Sequence, residues 1–426
     1  MPPGAGQAIL EGMSDRIEHR HRRPRALIVG GGAAGVEALL ALRALAEDRV
    51  DLELLSAERQ FVYRPLAVAE PFGLGSVRRY ELSAIAADQS ALLIPGTLDS
   101  VDTSAKVVHT AEGQALGYDL LLVALGAQVG HGVPGALALR GPGYTSRYGT
   151  LLRELREGKA QSVVFAAPVG VAWPLPLFEL ALMTSAVVAE EGLSDVKLTF
   201  VTPEDEPLEL FGPEASASVR RLFEERGIEL HTDRCPVAFE NGRLTVIPHE
   251  AEPITADRAV TLPQLHGPRI AGLPHDPDGF IPVDRHGQVS GELDVYAAGD
   301  VTGFPIKQGG LATQQADAAA EAIAARAGAD LTPAPFRPVL RALMLTGGPP
   351  RYLRAEVSGG RGAEEVSEQA LWWPPSKIAG RHLSPYLAAR HRGLAPRVRK
   401  RAMIAPRADG PQIIEMPPAG EVAPGR

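Results

Sequence analysis

The run Gly30-Gly31-Gly32-Ala33-Ala34-Gly35 constrains this chain more than any other feature, because of what stands on either side of it. Before it, Arg25-Ala26-Leu27-Ile28-Val29 reads as a short buried strand; after it, Val36 to Ala46 is rich in helix formers. Each glycine has its own task in such a turn. Gly30 makes the tight turn, Gly32 lets backbone approach a pyrophosphate, and Gly35 lets the helix pack closely on the strand. A diphosphate then rests at the positive end of the helix, beside Ala33 and Ala34. Val50 to Leu55 supplies a second strand about 20 residues on, the spacing of a βαβ dinucleotide-binding unit.

At 426 residues the chain exceeds what one core supports, so at least two lobes are expected. Its 45% apolar and 22% charged residues are those of a protein that folds in water. A net charge of -8 argues against a nucleic-acid-binding surface over the whole molecule. The single cysteine, Cys235, leaves no intramolecular disulfide, redox-active thiol pair or cysteine-ligated cluster, and no metal site is read. Residues 1–24 lack an apolar core and end in His19-Arg20-His21-Arg22-Arg23, so they read as a solvated disordered leader rather than a signal. The most apolar long stretch, Val171 to Ala189, is interrupted by Pro174, Pro176 and Glu179, which disfavours a bilayer span. A cytoplasmic location is the default expectation.

Further along, Tyr118 to Ala124 reads as a strand closing into Leu125-Gly126, and a Gly/Pro-rich segment from Gly130 to Gly143 as a crossover. A strand from Gln161, a helix through Glu190 and a strand at Val196 to Val201 repeat the βαβ order. Asp294 to Asp300 ends another strand in Gly299-Asp300, and Gln308 to Arg326 reads as a long Ala-rich helix. The expected fold is α/β: two Rossmann-like doubly wound dinucleotide-binding lobes, the second inserted in the first, plus a small C-terminal region. The first lobe is expected over 25–130 and 256–330 and the second over 131–255. A C-terminal interface or membrane-surface region is expected over 331–404, and a disordered tail over 405–426.

Joined to Phe61-Val62-Tyr63-Arg64-Pro65-Leu66 and the following residues to Phe72, and to Tyr296-Ala297-Ala298-Gly299-Asp300, the pattern resembles the FAD-dependent pyridine nucleotide-disulfide oxidoreductase superfamily. Within it, the chain is similar to the sulfide:quinone oxidoreductase and type II NADH dehydrogenase branch. The resemblance implies non-covalent FAD, with Asp300 against the ribityl chain. It also implies that the helix entered through Lys307, Gly310 and Leu311 aims its N-terminal dipole at the flavin pyrimidine ring; an ordinary helix cap is the competing reading. Ala124-Leu125-Gly126 matches the chain-crossing motif, and Arg64-Pro65 falls where the family lays backbone beside the isoalloxazine. Ser56 stands where the ribose-gripping acid is expected; Glu58, two residues later, is the candidate, against a plain surface glutamate. Glu179 resembles a glutamate that relays protons near the flavin in type II NADH dehydrogenases, against a helix residue satisfied by Arg or backbone. Glu179 and Lys307 are the catalytic candidates.

The departures bear most on function. The second dinucleotide loop reads Ala166-Ala167-Pro168-Val169-Gly170-Val171-Ala172-Trp173-Pro174. Alanine adds a Cβ where a pyrophosphate would lie and Pro168 removes an N–H, which argues against NAD(P)H in the usual pose. Sulfide oxidation in the family depends on cysteines beside the flavin. Here Tyr144-Thr145-Ser146-Arg147 and the Gly347-Gly348-Pro349-Pro350 region carry none, so sulfide is rejected as substrate. Trp372, Trp373 and Lys377 to Arg381, continuing to Tyr386, Arg390, Arg392, Arg397, Arg399, Lys400 and Arg401, interleave basic and aromatic residues. That composition suits peripheral contact with a bilayer, at the membrane inner face, while packing over the flavin lobe or a homodimer contact competes. Three readings stand at this point: an FAD-dependent oxidoreductase passing electrons from an unidentified small-molecule donor to a quinone or other small acceptor; an NAD(P)H dehydrogenase; and a flavin-stabilised scaffold.

Overall fold

The computed structural model describes residues 23–140, 143–248, 252–357 and 364–391. Residues 1–22 of the expected leader, Arg392 to Arg401 and the tail over 405–426 lie outside them. Strand β1 (Arg25–Val29), helix α1 (Ala33–Ala46) and strand β2 (Asp51–Ser56) form the expected unit, followed by helix α2 (Leu82–Asp88) and strands β3 (Leu92–Pro95) and β4 (Leu120–Val123). The chain then crosses to a second lobe. It runs through β5 (Leu137–Ala138), α3 (Tyr144–Arg156), β6 (Ser162–Ala166), α4 (Leu175–Glu190), β7 (Lys197–Val201), α5 (Pro213–Glu225), β8 (Ile228–His231) and β9 (Arg258–Thr261). It returns for β10 (Val295–Ala297) and α6 (Gly309–Arg326), then adds β11 (Val339–Met344), β12 (Arg351–Glu356), β13 (Glu365–Ser367) and α7 (Leu383–His391).

The first sheet has the order β10-β4-β1-β2-β3, and the second β5-β9-β6-β7-β8, with every pair parallel. Strands buried on both faces need no polar alternation, which is why Leu27-Ile28-Val29 and Leu120 to Val123 are uninterrupted apolar runs. Register aligns the strand ends. Val29 pairs with both Leu55 and Val123, and Val123 pairs with Ala297, so the C-terminal ends of four strands lie level. Strand order reverses beside β1, the position where doubly wound sheets bind ligands.

One expectation is corrected. The second lobe does not end at 255: β9 pairs with β5 and β6 in its sheet, so the return to the first lobe falls after Thr261. The C-terminal region packs on both lobes. One face of its antiparallel sheet, with Leu340, Ala342, Met344 and Leu353, joins the core built by Leu177, Phe178 and Leu180 of α4. Leu383, Tyr386 and Leu387 of α7 join the core of the first lobe with Leu39 and Ile85. Each such buried Leu, Ile, Met or Phe side chain contributes about 1.5–3 kcal/mol.

Candidate functional site

The level strand ends bring three motifs together. Gly30 leaves β1 at φ +118°, and a Cβ there would strike the Ala124 carbonyl, so the glycine turn and the Ala124-Leu125-Gly126 turn touch. A Cβ on Gly35 would strike the Gly30 carbonyl, which is the close helix-on-strand packing expected of that position. A Cβ on Gly299, at φ +83°, would lie 3.0 Å from Ala34 Cβ and 3.4 Å from Ala312 Cβ, placing the Gly299-Asp300 turn against the first loop and α6.

Gly32 is different: nothing lies within 4 Å of where its Cβ would be. It begins α1 without a side-chain cap, so the first-turn amides from Ala33 to Gly35 remain for an outside acceptor. Open space in front of an uncapped helix start, with no Cβ to fill it, fits a diphosphate.

Gln315 of α6 fixes the Gly-Asp turn. Gly299 N–H donates to its Oε1 at 2.7 Å, and its Nε2 donates to Thr302 Oγ1 at 3.2 Å. Asp300 has no hydrogen bond or ion pair of its own among the described residues, and burial pushes its carboxyl up to about 6 against the pull of Lys307. Lys307 Nζ donates to the Thr302 carbonyl and lies 3.7 Å from the centre of the Phe280 ring. Burial lowers its ammonium to about 8, while Asp300 and Asp276 oppose that shift. Lys307 is therefore held beneath the Asp300 turn.

Gly310 and Leu311 open α6, but the Leu311 amide is already taken by Gln308 Oε1 at 2.9 Å, and Gln308 Nε2 donates to the Arg341 carbonyl. The ordinary cap is thus present at that amide. Glu58 is exposed, and the Ser56 hydroxyl closes the turn by donating to the Glu58 carbonyl at 2.9 Å. Arg64 is exposed and Pro65 half-buried at the start of the 3-10 stretch Arg64–Phe72.

Glu179 sits on α4 at 0% exposure. Its Oε1 accepts from Leu345 N–H at 2.8 Å, and Lys377 Nζ lies 2.6 Å from Oε1 and 2.7 Å from Oε2. Burial raises its pKa above the ordinary carboxylate range, and the Lys377 charge opposes that rise. Lys377 escaped the sequence reading as a partner because it stood inside a basic stretch. The signal available was that no other lysine occurs between Lys307 and Lys400. Next to it, Ile378 N–H donates to Tyr63 Oη at 3.0 Å, and the Ile378 side chain fills the space beside Gly309. Residues 376–384 thus form a strap that bridges both lobes.

The second dinucleotide loop is built differently from the first. α4 starts after Pro174 with Pro176 in its first turn, and Leu177 N–H is used by the Pro174 carbonyl at 3.0 Å. Few amides are left for an anion. The Ala172 carbonyl instead accepts from Lys307 N–H at 3.2 Å, and Trp173 packs edge-on to Phe211, so the loop joins the lobes. Cys235 begins the antiparallel strand Cys235–Glu240 of the second lobe. Thr145 Oγ1 donates to Glu70 Oε2 at 2.9 Å, and Gly347 packs on Met183 and Ala186. No group of His, Cys, Asp and Glu among the described residues could hold a metal ion.

Comparison with known proteins agrees with this geometry. The family model for pyridine nucleotide-disulphide oxidoreductases matches residues 24–324. A sulfide-quinone reductase of Aquifex aeolicus is 24% identical over 300 residues, covering 66% of this chain and 68% of that one. The crystal structure of the sulfide:quinone oxidoreductase from Aquifex aeolicus matches with a TM-score of 0.74 at 21% identity, over 81% of this chain and 86% of that one. NDH2 of Plasmodium falciparum, solved in complex with NADH, matches with a TM-score of 0.54 at 16% identity, over 66% and 65%. At these identities the solved structures speak to the fold.

Proposed function

The chain belongs to the pyridine nucleotide-disulphide oxidoreductase family and is an FAD-dependent oxidoreductase, and from that premise we propose that it passes electrons from a small-molecule donor to a quinone or another small acceptor. Bound FAD supplies a two-electron carrier between those partners. The chain's residues supply the rest. Gly30, Gly32, Gly35 and the first-turn amides of α1 would hold the diphosphate, and Asp300 the ribityl hydroxyls, with Gln315 and Lys307 as positioning residues behind it.

The observation that carries the acceptor side is the buried Lys377–Glu179 pair where strap, α4 and the flavin lobe meet. A carboxylate raised by burial and held beside an ammonium can take up and return a proton, which reduction of a quinone requires. Proline just before α4 and again in its first turn, with the loop used in the lobe interface, disfavours a nicotinamide dinucleotide there. The lone cysteine in its second-lobe strand disfavours sulfide.

For membrane contact, the described part of the C-terminal segment offers Trp373, which is 75% exposed. Arg381 and Arg390 are paired with Glu321 and Asp88. No helix among the described residues is long and apolar enough to cross a membrane.

The test is anaerobic addition of NADH, NADPH and sulfide to the purified holoprotein while flavin absorbance is followed. None should bleach the flavin rapidly. Rapid bleaching by a nicotinamide makes the chain an NAD(P)H dehydrogenase, and rapid bleaching by sulfide restores sulfide as substrate. A colourless protein that cannot take up FAD refutes the reading altogether.

A further inference from the structure

Gln315, which fixes the Gly299-Asp300 turn, also lines a recess of about 190 Å³ on the first lobe. Val283, Ala297, Phe304 and Phe336 make its apolar walls, and Arg285 stands exposed at its rim. The backbone holds these walls in place. Ala297 N–H, at the end of β10, donates to the Gly287 carbonyl at 2.8 Å, and Phe336 N–H donates to the Arg285 carbonyl at 2.7 Å. Phe304 and Phe336 meet edge-on, with ring centroids 5.3 Å apart and planes at 80°. Both rings are only half-buried, so ring surface remains open to a further flat group.

Two polar groups of the recess lack a full set of partners, and both are donors. The Gly299 N–H requires Gln315 Oε1 as its acceptor, which fixes the amide the other way round for Nε2. The Thr302 hydroxyl donates to the Gly299 carbonyl at 2.9 Å and accepts one Nε2 hydrogen at 3.2 Å. An amide nitrogen carries two hydrogens, and the second has no acceptor among the described residues. With Gln315 only 7% exposed, an unmade hydrogen bond there is costly. The Arg285 guanidinium has neither a hydrogen bond nor an ion pair among the described residues. Asp284, the other charge at the rim, is engaged by its own turn, where Oδ1 accepts from His286 N–H at 2.8 Å and Gln288 N–H at 2.9 Å.

We propose that this recess binds a small aromatic carboxylate bearing a second oxygen acceptor opposite the carboxylate, and that this ligand tightens FAD binding through Gln315. The carboxylate suits the planar donor fork of Arg285. The opposite oxygen takes the free Gln315 N–H, and the ring lies against Phe304 and Phe336. The size admits one ring with small substituents, since a cavity of about 150 Å³ already holds benzene. A ligand on the free N–H pins the side chain whose Oε1 holds Gly299, so the turn is set before FAD arrives. By linkage, FAD must tighten the ligand by the same factor. The coupling rests on the ribityl chain lying at Asp300; the binding site does not.

The probe is 4-hydroxybenzoate, titrated calorimetrically into the FAD-loaded full chain, with the FAD dissociation constant of the apoprotein measured by fluorescence quenching with and without it. Binding should saturate at one probe per chain, and saturating probe should lower the FAD dissociation constant at least about fivefold. Arg285→Ala removes an exposed side chain and leaves the main-chain bond to Phe336. It should bind FAD alone as wild type does, yet weaken the probe at least about tenfold. Absence of saturable binding overturns the site, as does equally tight binding in Arg285→Ala, which would seat the probe elsewhere. An FAD dissociation constant unmoved by saturating probe overturns the coupling. A chain that takes up no FAD would remove the ribityl assignment and the coupling with it, while calorimetry on that same protein still decides the site.

Discussion

Lys377 and Glu179 stand 198 residues apart in sequence yet meet as a bidentate pair, with Nζ 2.6 Å from one carboxylate oxygen and 2.7 Å from the other. Neither side chain is open to solvent, at 8% and 0% exposure. Buried charges persist only when paired and hydrogen-bonded, so the third contact, from Leu345 N–H, is part of the same arrangement. Through this pair the C-terminal strap grips α4.

Removing one partner should therefore be severe. Lys377→Met leaves the Glu179 charge buried and unpaired, and should destabilise the chain by about 3–5 kcal/mol in chemical denaturation. Lys377→Met combined with Glu179→Leu should recover most of that stability without recovering turnover. Recovery of both would make the pair purely structural.

The first glycine loop separates folding from cofactor binding. Gly35→Ala drives a Cβ into the Gly30 carbonyl, and should give little folded protein on expression. Gly32→Val enters open space at an ordinary φ of -81°, so it should fold, with the circular dichroism of the wild type, and lose FAD.

Gln315→Leu leaves Gly299 N–H without its buried partner, while Thr302 Oγ1 keeps its bond to the Gly299 carbonyl. Such an unsatisfied group costs about 1–3 kcal/mol. The Gly-Asp turn should loosen, and the FAD dissociation constant measured by fluorescence quenching should rise at least about tenfold, while Gln315→Glu at low pH restores part of the affinity.

Asp300 and Lys307 give the apoprotein a pH signature. Asp300 keeps its proton in the folded state up to about 6, so apoprotein stability falls as pH rises from the ordinary carboxylate value to about 6. Lys307 loses its proton near 8 when folded but only near 10.5 when unfolded, so stability climbs across that second window. In Lys307→Met the climb should vanish and the fall should extend above 6, as denaturation midpoints across pH will show.

The first lobe was legible because its chemistry is local. Gly30 and Gly35 are dictated by close backbone approaches and Gly299 by its left-handed φ, and all three lie within recognisable strand-turn-helix signals. The lobe boundary was not, because Arg258–Thr261 is too short a strand to declare which sheet it joins, and only its pairing with β6 settles it. Gln308 looked like part of a flavin-facing helix start, yet its side chain caps that helix, a choice of rotamer that sequence does not carry. Lys377 was invisible for a related reason: its partner comes from the other lobe, and its significance exists only once the strap is laid down.

Proton delivery by Glu179 is tested head-on by stopped-flow reoxidation of the anaerobically reduced holoprotein by a soluble benzoquinone, in wild type and in Glu179→Gln with FAD retained. Wild type should show rapid two-electron reoxidation, and the variant a slowing of about 10²–10⁴-fold, the range a positioned proton donor contributes. Failure of the quinone to reoxidise the wild-type flavin, or equal rates in the two proteins, would contradict a quinone-reducing site built on Glu179.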